Sequence, residues 1–241
     1  MVDFEKQFER PGYSLRQEKA QLALTFRLVY GWMCAGLALS GAVAWHVARS
    51  GTIERLLRSG SGMPVFMGCL IAEIALVMIL GGAIRKLPAA AATAMFIVYA
   101  ALNGFTLSVV FLAYELPLIG RAFFVTAGMF GGLALWGTFT KGDLSGIGSA
   151  CGMALWGLII AGIANIFLKS DGMDWCISFI GILVFTGLTM YDAQKIKQMA
   201  AAEGTLDRQT VRKLGILGAL SLYLDFVNLF MHILRFFGRR K

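Results

Sequence analysis

The sequence predicts an all-α membrane protein of seven transmembrane helices. Three observations carry that prediction. Apolar residues make up 58% of the 241 positions and charged residues only 15%, against about 45–50% and about 25% in soluble domains. Mean hydropathy is +0.71. The apolar residues fall into seven runs that approach or exceed the roughly 20 residues a helix needs to cross a bilayer.

The first run, 26–48, follows a polar segment, "MVDFEKQFERPGYSLRQEKAQ", that carries both signs of charge. This segment has no apolar core and no small-residue cleavage site, so the first span is expected to act as its own insertion signal. Residues 14–28 have the pattern of an amphipathic helix on the membrane surface. The expected division is a polar segment, 1–24, and a seven-helix domain, 25–241. The second run, 64–84, contains Glu73 and stops at Arg85. The third, 90–114, carries Tyr99, Asn103 and Thr106, spaced four and three apart and so on one helical face. The fourth and fifth runs, 121–140 and 147–168, are rich in small residues. Gly128 with Gly132, and Gly148 with Gly152, form G-x-x-x-G patterns, which are expected to let helix backbones approach closely. The sixth run, 175–192, ends on Asp192, and "AQKIKQM" follows as a basic membrane exit. The seventh, 214–238, opens with Gly215 and Gly218. It then places Ser221, Asp225, Asn228 and His232 four, three and four residues apart. That spacing draws a polar stripe down an otherwise apolar helix, so the stripe should face the bundle interior.

Lys and Arg counts bear on orientation. With the N-terminus in the cytoplasm, the inside segments hold 13 and the outside segments 9, which favours that orientation by a small margin. A last span that failed to cross would make the counts 17 and 5. The net charge of +8 comes mostly from residues that flank spans. It therefore reads as orientation and lipid headgroup contact, with no nucleic acid partner.

Several chemistries are excluded. Cys34, Cys69, Cys151 and Cys176 form no C-x-x-C pair and read as packing residues. No H-E-x-x-H or G-x-S-x-G occurs, and the two histidines cannot build a three-histidine metal site. No lysine inside a span offers a Schiff base, and no strand precedes a glycine-rich phosphate loop. No enzymatic activity and no cofactor are expected.

What remains is chemistry at carboxylates. Of 14 acids, three lie within or at the edge of apolar runs: Glu73, Asp192 and Asp225. No Lys or Arg sits mid-span. A charged carboxylate at the bilayer centre costs roughly 2.5–3.5 kcal/mol on insertion scales. Such acids are tolerated where they line a cavity, share a proton or bind a cation. Simpler readings stand beside this one. Asp192 also suits an interfacial position, Glu73 a protonated packing residue, and His46 a headgroup contact. His232 sits on the Asp225 face.

Three stretches also resemble a known family. "GFTLSVVFLAY" (104–114), "GLTMYDAQKIKQM" (187–199) and "GALSLYLDFVNLFMHILRFFG" (218–238) are similar to motifs of the Bax inhibitor-1 family. "FVTAGMFGGLALWGTFTKGDLSGIG" (124–148) resembles its bacterial inner-membrane members in particular. The resemblance runs from about residue 20 to the end. It implies a seventh helix at the centre, wrapped by the other six, and a pH-sensitive calcium leak. It implies that Asp192 and Asp225 face one another and govern opening, with Glu73 and Arg85 in the same network. Calcium would be the permeant ion, held transiently by the two aspartates. It also implies a second reading, a membrane protein that binds and restrains a membrane-anchored ATP-dependent protease, with the N-terminal segment as the handle. The buried acids alone equally suit a third, a proton-coupled transporter of a small solute. Two carboxylates within reach cannot both ionise cheaply, so they titrate as a unit. Singly protonated, the pair shares a hydrogen bond. Doubly ionised, it repels itself and attracts Ca²⁺, which prefers several oxygen ligands.

Overall fold

The computed structural model describes residues 15–84, 86–202 and 208–238. In chain order the helices are α1 (Leu15–Arg49), α2 (Thr52–Arg58), α3 (Gly62–Ala83), α4 (Ala89–Leu107), α5 (Val110–Ala113), α6 (Leu116–Phe139), α7 (Ser145–Leu168), α8 (Asp171–Ala202) and α9 (Arg208–Phe237). Seven segments are long and apolar enough to cross a membrane: α1, α3, α4 with α5, α6, α7, α8 and α9. Among the described residues there is no strand. The outward face carries large apolar side chains, among them Phe124, Trp136, Phe139, Trp156, Ile166 and Phe167. In water such a surface would be untenable; against lipid it is the expected one.

Four features depart from the sequence reading. Residues from Leu15 onward continue into the first span as one helix, where a separate surface helix over 14–28 was expected. A short helix, α2, fills the first connection and starts after Gly51, whose φ of 64° sits in the left-handed region. The third span breaks: α4 ends at Leu107, Ser108 turns its hydroxyl back onto the Phe105 carbonyl, and α5 restarts at Val110. The sixth span does not end at Asp192. α8 runs ten residues further, to Ala202. Its 32 residues, at about 1.5 Å each, make it longer than the roughly 30 Å hydrocarbon layer.

α9 is the most enclosed span, with 61% of its apolar stretch buried, against none for α7. It packs broadly on α8 and α1, less on α6 and α4, and narrowly on α3. α7 joins the bundle through α8, so the enclosure of α9 comes chiefly from the other spans. Tyr223, Leu222, Leu229, Ile233 and Leu234 of α9 are fully buried. Gly215 meets Leu28 of α1, and Gly218 meets Val29, so these glycines do allow α1 to approach. The two ends of α9 lie at opposite ends of the bundle. Gly238 sits against Tyr114 and Leu118 at the α5–α6 junction, while Gly215 sits near the start of α1.

The G-x-x-x-G patterns behave otherwise than expected. Nothing lies within 4 Å of a Cβ built on Gly128, Gly132 or Gly152, and only Gly148 meets a neighbour, the Tyr191 ring. The closest helix approaches occur elsewhere. Gly137 of α6 sits on the backbone of Met190 in α8, and Gly104 of α4 on the backbone of Ser40 in α1. A Cβ at Gly104 would stand 2.6 Å from the Ser40 carbonyl oxygen, which a rigid backbone cannot yield. Gly104→Ala should therefore destabilise the protein by about 1–3 kcal/mol. Gly128→Ala, in open space, should be neutral or stabilising by up to about 1 kcal/mol from helix propensity. Thermal unfolding of both variants in detergent micelles checks the pair.

Candidate functional site

The polar residues of α9 divide between two neighbours. Toward α8, Ser221 hydrogen-bonds the Asp192 carboxylate, and Asp225 interacts electrostatically with Asp192. Asp225 is only 4% exposed, and its Oδ2 has no hydrogen-bond partner. Asp192 is half-buried, with Lys195 one turn further along α8 close enough to offset its charge. The four-three-four stripe continues along α9. Asn228 turns its amide onto the Leu224 carbonyl of its own helix at 2.8 Å. The His232 ring lies on Gly181 of α8 and stacks at 28° on Phe185, with ring centres 5.6 Å apart. The stripe predicted from spacing thus lies along the α8–α9 seam at Ser221, Asp225 and His232. Thr189, one turn before Asp192, spends its hydroxyl on the Phe185 carbonyl.

On its other side α9 meets a second polar cluster. Glu73, buried midway along α3, accepts from Thr106 Oγ1 at 2.9 Å and from Asn103 Nδ2 at 3.3 Å. The Asn103 Oδ1 accepts from the Tyr223 hydroxyl at 2.9 Å. That hydroxyl lies 2.6 Å from Ser40 Oγ of α1, and Ser40 reaches the Ala100 carbonyl at 2.7 Å. Tyr99, the third member of the α4 stripe, packs edge-on against the Tyr223 ring, 5.6 Å between centres. Tyr223 has one proton, so it donates either to Asn103 or to Ser40. Two hydroxyls thus serve more acceptors than they have protons, and the chain has two arrangements.

Glu73 is therefore not in direct contact with the aspartate pair. Among the described residues the two clusters are joined through α9, where Tyr223 and Asp225 are two residues apart and point to different neighbours. Arg85, expected to join them, lies outside the described residues. Tyr223 and Ser40 were missed by the sequence reading. The available signal was a phenol in the middle of an apolar span, since a buried tyrosine hydroxyl normally finds a partner.

Among the described residues no three His, Cys, Asp or Glu side chains come together as a metal site. Two carboxylates supply too few oxygens for a resident Ca²⁺, which takes six to eight. The pair suits transient contact with a passing cation, or a shared proton.

With this geometry in view, comparison with known proteins is informative. The family model described as "Inhibitor of apoptosis-promoting Bax1" matches residues 22–241. The chain belongs to the Bax inhibitor-1 family. Family relatives include the inner membrane protein YbhL of Escherichia coli, 46% identical over 229 residues, covering 95% of this chain and 97% of that one. An uncharacterised protein of Borreliella burgdorferi is 38% identical over 230 residues, 94% of this chain and 98% of its own. The protein YrjE of Lactococcus lactis is 40% identical over 215 residues, 88% and 89% of the two chains. An inner-membrane relative and seven apolar helices together support a multi-pass inner-membrane location for this family member.

The central polar chain makes a stability prediction. Tyr223→Phe keeps the ring packing but deprives Asn103 Oδ1 of its donor and leaves Ser40 one partner short. The cost should be about 1–3 kcal/mol, the usual penalty for stranding a buried polar group. Asn228→Leu, which breaks only an intrahelical bond, should cost less. Unfolding midpoints of the two variants in micelles give the comparison.

Proposed function

We propose that this protein is a pH-sensitive calcium leak channel, gated by the Asp192–Asp225 pair, with its N-terminus in the cytoplasm. The observation that carries the reading is the placement of Asp225. It is a carboxylate almost fully withdrawn from solvent, facing a second carboxylate across a helix seam, with one oxygen unbonded. Asp192 has Lys195 near it, but among the described charged groups Asp225 meets only the other carboxylate. A buried acid so placed is costly, and a shared proton is the cheapest way to keep the two together. In the singly protonated state the pair ties α8 to α9. When the second proton leaves, the like charges repel. The seam loosens, and its oxygens then favour a divalent cation. Membership of the Bax inhibitor-1 family supports the same reading.

The sign of the pH response follows. The closed state carries one proton more than the open state, so raising the pH through the pair's second ionisation favours opening. Calcium flux into liposomes that contain purified protein should therefore rise with pH. Asp225→Asn removes one titrating site while keeping shape and a hydrogen-bonding group. It should flatten the profile, and Asp192→Asn should do the same. The double variant should be little worse than either, because the two residues act as one unit. Additive effects in the three profiles would show two independent sites and remove the shared-proton gate.

Glu73 is the subordinate member. Its contact with α9 runs through Asn103 and Tyr223. Glu73→Gln should shift the midpoint of the flux profile without abolishing it, and Tyr223→Phe should make that shift disappear. The check is the flux profile of the single and double variants. An unchanged midpoint for a folded Glu73→Gln protein would make Glu73 a packing residue.

A further inference from the structure

The stripe on α9 extends past the aspartate pair to a part of the molecule with no role so far. At the end of the bundle where α9 finishes, α7, α8 and α9 enclose a polar hollow of about 590 Å³. Asn165, Lys169, Asp171, Asp174, Ile177 and Arg235 are among the residues that line it. One turn deeper on α9 lies His232, three residues before Arg235, and one turn deeper on α8 lies Gly181, four residues after Ile177. The His232 ring rests on Gly181, at a place where any side chain on α8 would collide with it. Asp174 and Arg235 are the charged groups that act on the ring. Two turns further along α9 stands Asp225.

The unpartnered polar atoms tell the same story. Among the described side chains, three buried atoms have no hydrogen-bond partner: Asp225 Oδ2, His232 Nδ1 and Thr25 Oγ1. Two of the three belong to this one seam. A buried nitrogen or carboxylate oxygen without a partner costs about 1–3 kcal/mol, and water or an ion on the line between these two would relieve that cost. The hollow on the opposite side of α9, about 250 Å³, is no rival. Apart from the Ser40 hydroxyl it is lined by glycine and apolar side chains, Leu37, Phe123, Phe226 and Phe230 among them.

We propose that the ion path leaves the aspartate pair along the α8–α9 seam, passes the His232 ring where it lies on Gly181, and opens in the polar hollow between Asp174 and Arg235. The inference rests on the channel reading and supplies the route. His232 is the narrow point, because the glycine beneath it provides the only room for the ring. Asp171 and Asp174 with Lys169 and Arg235 place two charges of each sign at the mouth, so it is hydrated without holding a cation fast.

Cysteine accessibility tests the route independently of which ion flows. The four native cysteines are changed to alanine, and His232→Cys is introduced in full-length protein in liposomes. A charged, membrane-impermeant methanethiosulfonate should label position 232, and labelling should remove most of the calcium flux. Ile160→Cys, on the outward face of α7, should stay unlabelled in lipid. In the native background, Gly181→Ala drives a methyl into the ring and should cut flux severalfold. Gly152→Ala, whose methyl meets nothing, should leave flux unchanged. Flux that persists while position 232 stays unreactive, or that ignores Gly181→Ala, would overturn the route. If the unsubstituted protein passes no calcium at any pH, the calcium reading fails by itself. Reaction at 232 would then still establish a wet seam, and its absence would remove the path.

Discussion

The structure depends on one constraint: α9 carries polar side chains through an apolar bundle, and other helices must answer each of them. In hydrocarbon there is no water to take an unpaired hydroxyl or carboxylate. The neighbours of α9 are therefore chosen by chemistry as well as by shape. Ser221 and Asp225 require something polar on α8, and Asp192 is there. The Tyr223 hydroxyl requires partners on the other side, and Asn103 and Ser40 provide them. Leu222, Leu229, Ile233 and Leu234 fill the remaining space and are almost fully buried. Polar contacts set which helices meet, and apolar packing holds them there.

Much of this was legible in the sequence, because lipid simplifies the code. A spanning helix must be long and apolar, so seven runs gave seven spans. A polar stripe on such a helix must face inward, so the four-three-four spacing on α9 marked which face turns to the bundle. What sequence could not supply is which helix lies opposite. Glu73 and the aspartates were grouped through a family resemblance, yet Glu73 bonds to α4, and its hydrogen-bonded link to α9 runs through Asn103 and Tyr223. Span ends were also poorly legible. Asp192 and the basic residues after it looked like a membrane exit, but Gln, Lys and Met are good helix formers, and α8 simply continues. Small-residue motifs misled for a related reason. A glycine marks a close contact only if a neighbour is present, and Gly128, Gly132 and Gly152 face open space.

The continuation of α8 past Asp192 has a structural use. Gln194 accepts from the Leu144 amide at 2.9 Å and donates to the Gly142 carbonyl at 2.7 Å. Lys197 donates to the Thr138 carbonyl at the end of α6 at 2.8 Å, a cation where the helix dipole favours one. Thr138 in turn bonds Tyr30 of α1. Within one to two turns of Asp192, then, α8 is tied to α6, to the α6–α7 connection and, through Thr138, to α1. A helix anchored this firmly does not drift when one contact along it changes. On the proposed reading, movement at the aspartate pair falls instead on the packing between α8 and α9.

That distribution of anchors explains why an acid pair suits the position better than an ion pair would. An aspartate facing a lysine in this seam would be attractive at every ordinary pH, and the helices would stay joined. On the proposed reading, a second carboxylate makes the attraction conditional on one proton. Other contacts of α8, such as Gln194 on the Gly142 carbonyl and Gly137 on the Met190 backbone, carry no titrating group. On the proposed reading, the seam between α8 and α9 is the interface whose strength a proton sets. It is also the seam that holds two of the three unpartnered buried side-chain atoms among the described residues. On that reading, the contact that loosens and the line of atoms that would welcome an ion are the same place.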